Sequence, residues 1–350
     1  MRIAASLGLA ATLAFAASAG VRADSGLPEG DWRTINRDLA ATRYSPLDQI
    51  NRSNVSGLEQ AWSTPLRAFG NAVPLVIDGM MYVSAGTKVF ALDADSGAEI
   101  WTHDEPRPEG QQFGGGVSGR GVGYWAGDKK AKPRILVMAG NKLLALDAAT
   151  GKPVGGFGAG GYVDVGVGYG GTPTIIGEVA VIGAASLESP QGDPGNPRGF
   201  DVRTGKKLWE FQTVPKQGQP FNETWGDGWE NRGGTNMWGF SATADEASGT
   251  VYLPIGGPAH NYYGGDRPGA NVFGNSIVAV DARTGAYKWH FQTVHHDLWD
   301  SDQPSAGPLV PLTVDGKQET AIATIGKTSY LYVLDAETGV PVHAVEETPV

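Results

Sequence analysis

The chain has 350 residues, and its 27 lysines and arginines against 37 aspartates and glutamates give a formal net charge of −10. This acidic balance, without a basic run, argues against nucleic acid and anionic membrane surfaces as partners. The absence of cysteine excludes disulfides, thiolate metal sites and a covalently attached c-type haem within the chain.

The first residues have the pattern of a secretory signal peptide. Arg2 precedes an apolar run over residues 3–17, and small residues follow up to Ala23. We therefore predict a cleaved signal peptide over residues 1–23, an exported domain over residues 24–350 and a periplasmic location. No later run of 18 apolar residues occurs, so no transmembrane segment is expected.

A phrase of apolar strand, Asp-containing turn and second strand recurs along the chain. Its copies are VFALDADSGAEIW, LLALDAATGKPV, RGFDVRTGKKLW, SIVAVDARTGAYKW and YLYVLDAETGVPV. The central aspartates are Asp93, Asp147, Asp201, Asp281 and Asp335. Neighbouring aspartates are 54 residues apart in three of the four intervals, and 80 apart in the other. This regular spacing indicates a repeat architecture.

The repeat predicts the blades of a β-propeller. The Asp-x-x-(Ser/Thr)-Gly turn reverses the chain between two strands, and Trp101, Trp209 or Trp289 can then cover the neighbouring unit. Units of this length that lack helical periodicity bury their faces by packing radially. Five repeats and a first strand near residues 58–62 predict five to six blades in an incomplete ring, as in the N-terminal part of a longer protein.

The 80-residue interval holds an irregular insertion, FNETWGDGWENRGGTNMWGF, of the kind on which sites are often built. With VYLPIGGPAHNYYGGDRPG and WHFQTVHHDLWDSD, it resembles the pyrroloquinoline quinone (PQQ)-dependent dehydrogenases, most closely the membrane-type glucose dehydrogenase branch. The resemblance implies an eight-bladed all-β propeller with the quinone on its axis.

The resemblance also implies two residues for the chemistry. Asp300 matches the family's catalytic aspartate, and a carboxylate there would take the hydroxyl proton while hydride leaves the carbon. Lys327 matches the cation that hydrogen-bonds the quinone oxygens and would stabilise negative charge on them. Taken alone, Asp300 would be a turn residue and Lys327 a solvated surface charge.

Three further residues match positions that bind the cofactor. Arg120 matches the arginine that holds the cofactor's carboxylates, and Trp238 the aromatic floor under the quinone. Thr172 resembles a hydroxyl contact to the same cofactor. The alternative for Trp238 is packing between blades.

A metal site is implied less directly. The family places calcium beside the quinone, and Glu188 and Asp300 match its carboxylate ligands. Gly257 stands where the alcohol dehydrogenase branch has an asparagine and where the glucose dehydrogenase branch varies, so the absent amide oxygen weakens the metal prediction without removing it. Asp302 stands where lanthanide-using relatives carry an extra carboxylate, although the glucose dehydrogenase branch resembles this pattern too.

These features predict an exported quinoprotein oxidoreductase that oxidises an alcohol or sugar hydroxyl. Electrons would pass to a separate periplasmic cytochrome or quinone-linked partner. Two alternatives stay open: a non-catalytic propeller that binds protein partners in the cell envelope, and an inactive truncated relative. A meeting of Asp300, Lys327, Arg120 and Trp238 near the propeller axis would favour the enzyme.

Overall fold

The computed structural model describes residues 27–68, 70–105, 116–186, 189–193 and 195–346. The predicted signal peptide, residues 1–23, lies outside the described residues. The described chain is all-β, as predicted, apart from two 3-10 turns at Val55–Gly57 and Asn222–Trp225. Neither of these short turns could span a bilayer.

Nineteen strands form five antiparallel sheets, which we call blades 1 to 5. Blade 1 comprises β1 (Leu75–Ile77), β2 (Met80–Ala85), β3 (Lys88–Asp93) and β4 (Glu99–Asp104). Blade 2 comprises β5 (Gly123–Trp125), β6 (Arg134–Ala139), β7 (Lys142–Asp147) and β8 (Tyr162–Asp164). Blade 3 comprises β9 (Thr174–Ile176), β10 (Val179–Ile182), β11 (Arg198–Asp201) and β12 (Lys207–Glu210). Blade 4 comprises β13 (Thr243–Asp245), β14 (Thr250–Ile255), β15 (Ser276–Asp281) and β16 (Tyr287–Gln292), and blade 5 comprises β17 (Leu309–Val314), β18 (Lys317–Ile325) and β19 (Leu331–Asp335).

Neighbouring blades share their hydrophobic cores because alternate residues of a strand face opposite sides of a sheet. In β6, Ile135 and Val137 pack with blade 1, whereas Leu136 and Met138 pack with blade 3. The continuous apolar runs that the repeat predicted are therefore strands buried on both faces.

Tryptophans join the blades as the sequence predicted. The indole Nε1 of Trp101 donates to the carbonyl of Ala148 in the turn of blade 2, at 3.0 Å. Trp209 and Trp289 donate in the same way to blades 4 and 5, at 2.9 Å and 3.1 Å. Beneath the ring of Trp101 lies Gly151, whose φ of +67° suits glycine and whose missing side chain leaves room for the indole.

The strand predicted near residues 58–62 is wrong. This segment forms no strand in the described chain and pairs with none of the described strands. Its Trp62 nevertheless donates to the carbonyl of Ala94 at 3.2 Å and covers Gly97, as the other tryptophans cover their turns. The repeat thus identified a docking residue rather than a strand, and the described chain has five blades.

The two outermost blades differ in how their outer faces are covered. On blade 1, Val83 and Phe90 form a small core with Leu66. On blade 5, Ile325 and Leu331 are 53% and 64% exposed. Blade 5 therefore has an outer face that the described residues leave open.

The number of strands in a blade decides where its connections lie. A blade of four antiparallel strands returns the chain to the end at which it entered, so the connections between blades gather at one end of the propeller. We call this the loop end. The connection that carries the insertion, between β12 and β13, lies there, as do the connections after β4, β8 and β16. The opposite end has the Asp-x-x-(Ser/Thr)-Gly turns.

The docking of Trp101 predicts a difference between two glycines. A Cβ at Gly151 would lie 2.4 Å from the indole of Trp101, whereas a Cβ at Gly140, with a similar φ of +59°, would have no described atom within 4 Å. Both alanine variants bear a left-handed backbone cost of roughly 1–2 kcal/mol. Gly151→Ala should lose about 1–3 kcal/mol more, because it overpacks the core. Urea unfolding of the two variants tests this expectation, and equal losses would contradict it.

Candidate active site

The predicted site residues that the structure describes stand in connections at the loop end. Arg120 precedes blade 2, Thr172 precedes blade 3, Trp238 precedes blade 4, and Asp300 precedes blade 5. Lys327 lies in the turn between β18 and β19, which returns to the same end. Residues more than 200 positions apart in the sequence are brought together because each stands in a connection that the meander places there.

An ion-pair cluster forms the centre of the site. Lys327 Nζ lies 2.6 Å from Asp300 Oδ2 and 2.8 Å from Asp302 Oδ2. Burial disfavours the charged ammonium, but the hydrogen bonds to the two carboxylates outweigh this effect, so the pKa of Lys327 is raised above its ordinary value. Lys327 is therefore a cation held between two anions.

The two carboxylates differ in exposure. The side chain of Asp300 is 26% exposed, whereas that of Asp302 is 10% exposed. Asp300 Oδ1 accepts a hydrogen bond from the Asn261 amide at 3.2 Å, and its backbone has a φ of +59°, which few residues other than glycine adopt. Asp300 is thus the more accessible acid of the pair, and its loop is held in an uncommon conformation.

Trp238 adjoins this cluster. Its Nε1 donates to Asp302 Oδ2 at 3.1 Å, and Lys327 Nζ lies 5.9 Å from the centroid of its ring. The Arg120 guanidinium lies 5.4 Å from the same ring centroid. Two cations therefore flank one indole, an arrangement that suits a planar anion.

Arg120 is fixed by the connection that precedes blade 4. Its NH1 donates to the carbonyls of Trp238 at 2.8 Å and Gly239 at 3.2 Å, and its guanidinium lies 4.8 Å from the Phe240 ring centroid. The arginine and the tryptophan are therefore placed by direct contact with each other.

Glycines make the close approach of these loops possible. A Cβ at Gly256 would lie 2.5 Å from Asp302 Oδ1, and a Cβ at Gly326 would lie 2.0 Å from Gln303 Oε1. The backbone N–H of Gly257 donates to Asp302 Oδ1 at 2.7 Å. Gly257, which stands where the alcohol dehydrogenase branch has an asparagine, thus supplies a backbone donor to the cluster.

Thr172 lies deeper than the others. It is buried, its N–H donates to the Phe240 carbonyl at 2.7 Å, and its Oγ1 has no hydrogen-bond partner among the described residues. It also borders a cavity of about 500 Å³ that the segment 33–42 and the first strands of several blades enclose. The ion-pair cluster does not line this cavity, so Thr172 alone among the described site residues adjoins it.

The predicted metal site is only partly described. Glu188 lies outside the described residues, and among those described no group of three acidic or histidine side chains is arranged to hold a metal ion. Asp300 pairs with Lys327 and Asn261 instead. The metal ligands stay a prediction.

Two contributors to the site were not predicted. Asn261 holds Asp300, and Asp302 joins Lys327 to Trp238. Asp302 was noticed for its spacing of two from Asp300, but that spacing gave no indication of the contact with the indole. Asn261 has no sequence signal, because its role depends on a loop conformation.

The chain is similar to known proteins in sequence and in fold. A family profile described as "PQQ: Glucose/ethanol/alcohol dehydrogenase, beta-propeller domain" matches residues 32–350. Quinohemoprotein alcohol dehydrogenase of Comamonas testosteroni is 36% identical over 91% of this chain and 47% of its own length. Quinoprotein glucose dehydrogenase of Escherichia coli strain K12 is 31% identical over 93% of this chain and 45% of its own length. The chain spans about half the length of these curated relatives.

Solved structures share the fold. The crystal structure of the Comamonas testosteroni enzyme superimposes with a TM-score of 0.78 at 34% identity, covering 91% of this chain and 49% of that one. A europium-containing methanol dehydrogenase gives a TM-score of 0.77 at 25% identity, covering 91% and 58%. The predicted resemblance and the propeller fold class are therefore confirmed. The chain belongs to the family of PQQ-dependent glucose, ethanol and alcohol dehydrogenases, through the β-propeller domain that defines it.

Proposed function

We propose that the protein oxidises an alcohol or sugar hydroxyl with PQQ as the acceptor and Asp300 as the general base. The observation that supports this most is the single cluster formed by Asp300, Lys327, Trp238 and Arg120 at the loop end. A protein-binding scaffold has no need for a cation held between carboxylates beside an aromatic ring.

The residues present fit the cofactor of the family. PQQ is a planar ring system with carboxylates and quinone oxygens, so it calls for an aromatic face, cations and hydrogen-bond donors. Trp238 provides the aromatic face, and Arg120 and Lys327 provide cations beside its ring. The Oγ1 atom of Thr172 is buried and has no partner in the described chain, so a hydrogen bond from a polar ligand would satisfy it.

The bound quinone would supply the acceptor for the hydride. Asp300 would take the hydroxyl proton at Oδ1, because Oδ2 is bound by the ammonium of Lys327. Asp302 would keep Lys327 in place while Asp300 binds the proton. The ammonium of Lys327 would stabilise negative charge on the quinone oxygens, and Arg120 would hold a cofactor carboxylate.

We also propose a calcium ion beside the cofactor, on the basis of the family resemblance. Asp300 and Glu188 would be its carboxylate ligands, with Gly257 contributing no side-chain oxygen. None of the proton and charge roles given above depends on the ion.

The remaining proposals concern the surroundings of the enzyme. A signal peptide over residues 1–23 would direct it to the periplasm, where a separate cytochrome or quinone-linked protein would accept the electrons. The substrate is proposed only as a class, an alcohol or a sugar.

Removal of the base should slow turnover strongly. Asp300→Asn is expected to reduce kcat by at least about 100-fold, because general bases contribute roughly 10²–10⁴-fold. Dye reduction by protein supplied with PQQ and calcium, across a panel of alcohols and sugars, measures this. Asp315→Asn is the matched control, since Asp315 is exposed, lies at the opposite end of blade 5 and also has a positive φ of +49°. Equal rates for Asp300→Asn and the wild type would refute the assigned base.

The ion pairs of Lys327 should give an alkaline limit to stability. Because its folded pKa is raised above 10.5, the stabilisation is complete below pH 10.5 and is lost as the pH rises through the higher folded value. The excess in Tm of the wild type over Lys327→Met should therefore be constant from pH 7 to 10 and shrink above 10.5. Lys317→Met, at an exposed position of β18, is the control. An excess that already declines between pH 7 and 9 would contradict the assigned ion pairs.

A further inference from the structure

Asp302 makes more contacts within the site than Asp300. Its Oδ2 accepts from Lys327 Nζ at 2.8 Å and from Trp238 Nε1 at 3.1 Å, while its Oδ1 accepts from the Gly257 N–H at 2.7 Å. The three donors come from three separate connections, before blade 4, within blade 4 and within blade 5. One buried carboxylate therefore joins all of these loops to its own.

The bond from the indole of Trp238 is unlike those of other tryptophans in the described chain. Five other indoles donate to backbone carbonyls, and these belong to Trp62, Trp101, Trp209, Trp225 and Trp289. Those acceptors are neutral carbonyls in turns and in the connection before β15. The acceptor for the indole of Trp238 is the carboxylate of Asp302, which lies in the site itself. A bond to a charged acceptor is stronger than one to a neutral carbonyl.

Exposure separates Asp302 from the base. Asp302 is 7% exposed as a residue, and each of its oxygens already has a donor. A substrate hydroxyl would reach Asp300 more easily, since its side chain is the more exposed of the two. The carboxylate of Asp302 is thus suited to orient other groups rather than to exchange protons with a substrate.

We propose that Asp302 is a positioning residue that sets the plane of the Trp238 ring and the position of the Lys327 ammonium relative to the quinone. The predicted effect on cofactor binding rests on the proposed function. The contact between Asp302 and Trp238 does not depend on any cofactor. An asparagine at position 302 could still accept from Gly257. Its amide group would, however, present donors to the N–H of Trp238 or the ammonium of Lys327.

The test uses protein labelled with ¹⁵N at the tryptophan indoles, first without added cofactor. The Trp238 resonance is assigned by its disappearance in Trp238→Phe. In Asp302→Asn we expect that resonance to move upfield, because it loses a charged acceptor, while the indoles that donate to carbonyls in blade turns stay in place. In Asp315→Asn, the control at the opposite end, no indole resonance should move.

Cofactor binding is then measured by titration with PQQ in calcium chloride. Asp302→Asn should raise the Kd about tenfold or more, in line with the loss of hydrogen bonds that involve a charged group. In the Trp238→Phe background the same substitution should raise it by a clearly smaller factor, since the contact with the indole is already gone. Asp315→Asn should bind as the wild type does.

The outcomes separate the two proposals. An unmoved Trp238 resonance, or an unchanged Kd in Asp302→Asn, would overturn the positioning role. Failure of the wild type to bind PQQ would overturn the proposed function, and the indole shift would still decide whether Asp302 holds Trp238. If the asparagine variant does not fold, Asp302→Glu serves instead. Its longer side chain displaces the acceptor, so the same resonance should move and binding should weaken.

Discussion

The packing of an indole over a glycine turn is the interaction on which the rest of this structure depends. Trp101, Trp209 and Trp289 each reach from the last strand of one blade to the turn of the next and bond to a carbonyl there. The contact fixes the spacing between blades because neither the ring nor the glycine turn can shift without loss of packing. The spacing between blades also sets the positions of the connections at the loop end, and these connections form the site.

Glycines also allow the loops of the site to approach one another closely. Gly256, Gly257 and Gly326 stand where a side chain would collide with, or crowd, the carboxylates and amides of the loop before blade 5. Their absence of side chains allows Asp302 to lie within hydrogen-bond distance of three loops. The desolvation cost of the partly buried ammonium is then offset, since each charge has an opposite charge beside it.

Much of the fold could be predicted from the sequence, because each copy of the repeat contains the residues that form its strands, its turn and its contact with the next blade. The aspartate spacing, the glycine turns and the tryptophans identified the blades and the way in which they dock. The segment 58–62 was mispredicted as a strand because it carries the tryptophan of the repeat without a partner strand, and local pattern cannot reveal pairing. Of the site residues, Arg120, Trp238, Asp300 and Lys327 lie in one cluster and Thr172 lies deeper, while the roles assigned to them rest on resemblance. The contact of Asp302 with Trp238 could not be foreseen, since it depends on how two loops from different blades fold over one another.

The open outer face of blade 5 has a consequence for electrostatics. Ile325, which is 53% exposed on that face, ends the strand from which the Lys327 turn departs, and Leu331 begins the next. The cation of the site is therefore carried by a sheet whose outer face is uncovered in the described chain. Segments with few buried apolar contacts open locally more readily than segments between packed sheets, and here such a segment sets the distances between the ammonium and its two carboxylates.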